Sequence, residues 1–311
     1  MKKILITGGG GYIGSVLSEL LLKNNFHVTI LDNFMYGQVS LNHLCNFENL
    51  KIIKGDVRDE AKIKTLLKKS DVIIPLAALV GAPICNFDPV GSKSINYDSL
   101  DIIFKNKAKE QIILMPTTNS AYGSGDTNNY CDENSQLKPI SNYAKAKVDL
   151  EKKLMDLENT TSFRLATVFG MSPRMRTDLL VNDFVLRAFN DRFIVLFESQ
   201  FKRNYIHVRD VAHLFLYSLN NYLKFANNIF NAGLSNANLS KKELCEKIKS
   251  QIPDFVIFEE NFLKDEDQRN YLVSNKKLEK TGFKTEWSIE LGIKELMKGY
   301  AALPIKRFSN V

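Results

Sequence analysis

The apolar run Lys3-Ile4-Leu5-Ile6-Thr7, followed at once by Gly8-Gly9-Gly10-Gly11-Tyr12-Ile13-Gly14, constrains this chain more than any other feature. The β-branched run reads as a buried strand, and Tyr12 to Lys23 behind the glycines reads as an amphipathic helix. Gly8, Gly11 and Gly14 then occupy a strand-to-helix turn in which each has a separate task. The first permits the tight turn, the second lets backbone N–H groups approach a pyrophosphate, and the third lets the helix pack closely on the strand. The anion would sit at the positive end of the helix. In this context, with Tyr12 and Ile13 opening the helix, the turn predicts a bound dinucleotide. Asp32 closes the second predicted strand about twenty residues on, where a carboxylate can accept both ribose hydroxyls and would repel a 2′-phosphate. The expected cofactor is therefore NAD rather than NADP. Asp56-Val57, after the third strand, is assigned to the adenine edge, with a surface turn as the alternative.

Short apolar runs at Lys3 to Thr7, His27 to Leu31, Leu50 to Ile53, Asp71 to Pro75, Gln111 to Met115 and Ser162 to Val168 alternate with helical stretches such as Tyr12 to Lys23 and Asn142 to Glu158. That alternation predicts βαβ units with right-handed crossovers, hence a doubly wound parallel Rossmann sheet in an α/β chain. Beyond Gly170 the pattern loosens into Met171-Ser172-Pro173-Arg174-Met175-Arg176. A helix from Leu179 to Phe189, a strand from Asn204 to Val208 and helices at Lys241 to Ser250 and Ile289 to Tyr300 follow. The expectation is an NAD-binding domain over 1–170 and a smaller mixed α/β substrate-binding domain over 171–311, with some later strands and helices returning to the first.

The net charge of +7 and pI near 9.0 raise the question of nucleic acid, but no run of five or six basic residues occurs. A lysine-rich solvated surface accounts for the charge, which favours an anionic substrate. Cys45, Cys85, Cys131 and Cys245 form no C-x-x-C pair, so no metal or redox motif is readable and reduced thiols are expected. The N-terminal apolar run is too short for a signal peptide, and no stretch of about eighteen apolar residues follows. Neither a membrane nor a nucleic acid is expected as partner, and the expected compartment is the cytoplasm.

Tyr143 and Lys147 in Tyr143-Ala144-Lys145-Ala146-Lys147 lie four apart, on one face of a helix. An ammonium there stabilises phenolate and lowers the tyrosine pKa toward that of a general base. With 11 tyrosines in a lysine-rich chain the spacing alone arises by chance, so its context decides. That context is Met115-Pro116-Thr117-Thr118-Asn119-Ser120-Ala121-Tyr122-Gly123, which closes the fifth strand at the edge where doubly wound sheets hold ligands. There the Thr118 hydroxyl can meet a substrate oxygen beside the Tyr143 phenol.

With the glycine turn, Leu76-Ala77-Ala78 and Arg203-Asn204-Tyr205-Ile206-His207-Val208, these residues resemble the extended short-chain dehydrogenase/reductase family acting on nucleotide sugars. The resemblance implies that Thr118, Tyr143 and Lys147 form the catalytic trio. Tyr143 takes the proton of a sugar hydroxyl, usually at C4, while Lys147 holds the ribose and C4 passes hydride to nicotinamide. It also implies that Asn33, Leu76, Ala77 and Ala78 line the cofactor, that Arg203 and Arg269 grip the diphosphate, and that Arg174, Arg176 and Asn182 line the sugar pocket. His207 reads as a strand residue facing a core or interface rather than as a catalyst. Homodimerisation through the Tyr143 helix and a long helix near Ile95 to Ala108 is implied too, although Ile102, Ile103 and Phe104 equally suit packing on the sheet.

The residues after Thr118 narrow the reaction. Family dehydratases carry Asp-Glu there, one to protonate the leaving hydroxyl and one to remove the C5 proton. Asn119 and Ser120 do neither, and they supply no cysteine of the epimerase-reductase type. Oxidation at one carbon, or 4-epimerisation, remains. Thr117-Thr118-Asn119-Ser120, Ser172-Pro173-Arg174-Met175-Arg176 and Asp178 to Asp183 are similar to bacterial GDP-heptose 4-dehydrogenases of capsule synthesis. This implies a GDP-sugar substrate, a 4-keto product and a small keto acid as possible hydride acceptor. The rival readings are a nucleotide-sugar 4-epimerase and a non-enzymatic NAD-binding sensor or scaffold.

Overall fold

The computed structural model describes residues 1–124, 130–260 and 269–302. Its first half runs β1 (Lys3–Thr7), α1 (Tyr12–Lys23), β2 (His27–Asp32), β3 (Leu50–Lys54), α2 (Glu60–Leu67), β4 (Val72–Pro75), α3 (Ala82–Phe87), α4 (Pro89–Lys93), α5 (Ser99–Asn106) and β5 (Ile112–Thr118). Next come β6 (Tyr130–Cys131), α6 (Asn142–Met155), β7 (Thr160–Leu165), β8 (Thr167–Phe169), α7 (Leu180–Asn190), β9 (Phe193–Phe197) and β10 (Lys202–His207). The chain continues through α8 (Val208–Asn220), β11 (Asn228–Ala232), β12 (Asn238–Ser240), α9 (Lys241–Lys249), β13 (Val256–Glu260), β14 (Leu272–Val273), α10 (Lys276–Glu279) and α11 (Ile289–Ala302).

A seven-stranded sheet in the order β11-β7-β5-β4-β1-β2-β3 forms the centre, with every neighbouring pair parallel. Side chains alternate across it as the period of two requires. Ile4 and Ile6 join a core shared with α1 and α8, whereas Leu5, Ile73 and Ile113 join the opposite core with α2, α5 and α6. The strand order reverses between β1 and β4, and a crevice for a ligand opens at the carboxyl ends of these strands. This is the doubly wound α/β architecture expected from the alternation.

Four local expectations change. The single strand over Ser162 to Val168 is broken at Ala166: β7 stays in the main sheet, and β8 switches to a small sheet ordered β12-β10-β8. The helix from Asn142 ends at Met155 rather than Glu158, because Asn159 sits at φ 59° in the turn into β7. The long helix near Ile95 to Ala108 is interrupted by a π turn over Ser94–Asp98, and α5 ends at Asn106. Ile103 and Phe104 are buried against the sheet, so they are not free to face a second subunit. The chain after residue 170 does return to the main sheet, through β11.

Candidate active site

The glycine turn is shaped by close backbone approach. Gly8 has φ +73°, and a Cβ on it would lie 2.5 Å from the Ala77 amide nitrogen, so the loop after β4 presses directly on the turn. A Cβ on Gly14 would meet the Gly8 carbonyl at 2.5 Å and one on Gly11 the same oxygen at 3.0 Å. Asp32 is fixed by the turn it serves. Its Oδ2 accepts from the Gly10 amide and its Oδ1 from the Phe34 amide, both at 2.8 Å.

A groove lined by Gly8, Gly11, Asp32, Asn33, Asp56, Val57, Leu76, Ala77 and Ala78 gathers nine of the residues expected at the cofactor, while Tyr12, Ile13, Gly14, Tyr143 and Lys147 are not among its lining. A narrow cradle without side chains, the start of a helix and a strand-ending carboxylate suit the pyrophosphate and ribose of NAD. The Asp56 carboxylate is engaged by Arg58, with Oδ2 at 2.5 Å from Nη2. These hydrogen bonds hold it below the usual carboxylate range. The carboxylate is thus committed to Arg58 and would leave an adenine only the backbone of this turn.

The side chains of four expected residues are engaged by contacts of their own. The Tyr12 phenol turns away from the groove, donates to the Gly170 carbonyl at 2.6 Å and is buried, which leaves only its backbone for a cofactor. Ile13 likewise packs on the core. Asn182 is fully buried: its Oδ1 accepts from the Gly170 amide at 3.0 Å, and its Nδ2 donates to the Arg176 carbonyl at 2.8 Å and the Tyr12 hydroxyl at 3.2 Å. It bolts the 170–176 loop to α1 and has no reach to a sugar. Arg174 lies over the Tyr36 ring, 4.0 Å from its centroid, and lines the groove that holds the residues expected at the cofactor.

Of the three expected catalytic residues, Thr118 and Lys147 line one narrow crevice, and Tyr143 lies one helical turn before Lys147 on α6. Ser141 caps α6, accepting from the Ala144 amide at 3.2 Å, and so starts the helix just before Tyr143. Thr118 ends β5 and shares a narrow crevice with Lys147. The Thr118 hydroxyl donates to Ser120 Oγ at 3.0 Å, and Arg269 donates to that same oxygen. Burial pushes the Tyr143 phenol up to about 12, raised further by Cys85 and opposed by the charges of Arg176 and Arg269. Arg176 is itself paired with Asp178. Burial pushes the Lys147 ammonium down to about 8, with Cys85 opposing. Arg203 is buried on β10, where its charge and that of Arg269 are both felt at Tyr205.

Asn119 is 1% exposed, and among the described residues neither atom of its side-chain amide has a hydrogen-bond partner. Buried orphans of this kind are rare and call for a polar partner. His207 is buried and stacked on Trp287, with Nε2 2.8 Å from Glu295, as a core residue. The sequence reading passed over Cys85, Tyr36 and Asn96. Asn96 clamps the loop after β4 through Leu79, accepting from its amide at 2.7 Å and donating to its carbonyl at 2.8 Å. Its place inside the predicted long helix hid that role.

Residues 4–233 match the model of the NAD dependent epimerase/dehydratase family. The chain belongs to this family. It is 26% identical over 311 residues to the low-salt glycan biosynthesis protein Agl12 of Haloferax volcanii, covering 96% of this chain and 98% of that protein. The UDP-N-acetylglucosamine 4-epimerase of Methanobrevibacter ruminantium, solved with UDP-N-acetylmuramic acid, superposes with a TM-score of 0.82 at 25% identity, covering 97% and 98% of the two chains. The dTDP-glucose 4,6-dehydratase of Bacillus anthracis, solved with NAD, shares the fold with a TM-score of 0.82 at 19% identity, over 97% of each chain. Family membership makes this an NAD-dependent enzyme of nucleotide-sugar chemistry. Among the described residues no helix is long and apolar enough to cross a membrane.

Proposed function

We propose that this enzyme oxidises C4 of a nucleotide-linked sugar, with GDP-heptose as substrate and a 4-keto sugar for capsular polysaccharide synthesis as product. The observation that carries the reading is the composition of the segment after β5. Thr118 shares a crevice with Lys147, while Asn119 and Ser120 stand where a dehydratase needs an acid and a base. Tyr143 would accept the C4 hydroxyl proton, Thr118 would hydrogen-bond the same oxygen, and Lys147 would stabilise the phenolate and hold the ribose. Bound NAD supplies the hydride acceptor. The unpartnered Asn119 amide suits a second hydroxyl of the sugar. GDP and heptose rest on the resemblance of 117–120, 172–176 and 178–183.

A second reading, 4-epimerisation, is favoured by the epimerase among the solved relatives and needs the same residues. One assay separates the two: incubation with NAD and a panel of GDP-, UDP- and dTDP-sugars, with and without a small keto acid, followed by mass spectrometry. A product lacking two hydrogens supports oxidation, unchanged mass with inverted C4 supports epimerisation, and loss of water refutes both. In the dehydrogenase reading a small keto acid reoxidises retained NADH, so many unaided turnovers would overturn that part. We further propose a cytoplasmic homodimer joined through the outer face of α6, to be checked by fractionation and light scattering.

A further inference from the structure

Glu151 lies one helical turn beyond Lys147, on the same face of α6, and both line the crevice beside Thr118. A carboxylate placed so would ordinarily pair with the ammonium. Instead its oxygens are taken by three other side chains. Oε1 accepts from Arg164 Nη2 at 2.6 Å and Nε at 3.0 Å, while Oε2 accepts from Ser162 at 2.6 Å and Thr117 at 2.9 Å. Glu151 and Arg164 are both 3% exposed. Among the described residues the Lys147 side chain makes no hydrogen bond or ion pair.

We propose that Arg164 is a positioning residue for the catalytic pair: by holding Glu151 it keeps that carboxylate off Lys147, leaving the ammonium undivided for the Tyr143 phenol and the cofactor ribose. The fork of Arg164 suits this task because a guanidinium holds a carboxylate at fixed geometry and stays charged when buried. Burial alone would lower the Arg164 pKa, but Glu151 outweighs it and the net shift is upward. Arg164 also donates from Nη1 to the Tyr122 hydroxyl at 3.0 Å, which ties the anchor to the turn that follows Thr118. A Lys147 neutralised by Glu151 would no longer oppose the negative charge on Tyr143.

The other titratable or charged groups near the Tyr143–Lys147 pair are Cys85 from α3, Tyr122 from the turn after β5, and Arg176 and Arg269 acting at Tyr143. None of these is a carboxylate, so among the described residues Glu151 is the carboxylate placed to offset the charge of Lys147.

The inference rests on the proposed role of Tyr143 and Lys147, and its test is separable from that role. The Lys147 Nζ is titrated by NMR in protein carrying 15N-labelled lysine, with the signal assigned by its loss in Lys147→Met, and kcat is measured in parallel. In Arg164→Met the titration midpoint should rise by about one unit, a tenfold change in proton affinity, and kcat should fall about tenfold. In Arg164→Met/Glu151→Gln both should return to within about threefold of the parent, whereas a merely structural pair would leave the double variant as damaged as the single. An unmoved midpoint in Arg164→Met, or a double variant without recovery, overturns the inference. Should Arg164→Met not fold, Arg164→Lys replaces it, and its single ammonium should give a smaller rise in the same direction; no rise overturns the inference. A moved midpoint in a parent protein that turns over no nucleotide sugar would refute the proposed function and leave this inference standing.

Discussion

Asp32 Oδ2 accepts the Gly10 amide at 2.8 Å, so the carboxylate expected to choose the cofactor also braces the turn that cradles it. Its second oxygen holds Phe34 at the same distance, aligning the loop that borders the groove. Hydrogen bonds to a charged group contribute about 1.5–3 kcal/mol each. Asp32→Ala should therefore weaken NAD by about tenfold to a hundredfold and narrow the preference over NADP, measured by calorimetric titration with both dinucleotides. Unchanged NAD affinity would remove Asp32 from the site.

Tyr143→Phe removes one hydroxyl and keeps the ring. It should lower kcat by about 10²–10⁴, the range for loss of a general base, while NAD binds as before. Steady-state kinetics beside a binding titration checks this. Retained turnover would exclude the phenol as base, and loss of NAD binding would indicate a structural role.

The sequence made the cofactor side legible because backbone contact leaves little freedom: no side chain fits at Gly8 against Ala77, and the spacing of Gly11 and Gly14 follows from that approach. The end of β5 at Thr118 and the helix that carries Tyr143 and Lys147 were legible from local pattern, while their joint role came from the family resemblance. Directions of side chains between segments distant in sequence were not. Tyr12 sits in the glycine turn, yet its phenol is drawn inward by Gly170, a partner 158 residues away. Arg174 belongs to the cofactor groove because Tyr36 from another loop offers its ring. The Glu151–Arg164 pair was hidden for the same reason, since periodicity shows that α6 has a buried face but not which buried charge answers another.

The hydrogen bond from the Tyr12 phenol to the Gly170 carbonyl makes a prediction about stability. Tyr12→Phe leaves the Gly170 carbonyl and the Asn182 amide each short of a partner in a buried place. Such a loss costs about 1–3 kcal/mol. The variant should unfold at lower denaturant concentration and keep its affinity for NAD. A marked loss of NAD affinity with unaltered stability would return the phenol to the cofactor site.

Burial of the Lys147 ammonium has a cost in stability, which the role proposed for it would explain. Burial pushes its folded pKa down to about 8 from the ordinary lysine value of 10.5, so the folded state resists the proton that the unfolded chain keeps. The sign follows directly: below pH 8 both states carry the charge and the fold bears the whole penalty, and between pH 8 and 10.5 only the unfolded state holds the proton, so stability rises with pH. At about 1.4 kcal/mol per unit, the penalty is on the order of 3 kcal/mol. Lys147→Met should then raise the melting temperature at pH 7 by several degrees, lose that advantage as pH approaches 10, and abolish turnover. Melts from pH 6 to 10 test it, and equal melting temperatures of the two proteins at pH 7 would show that Lys147 is not a strained buried cation.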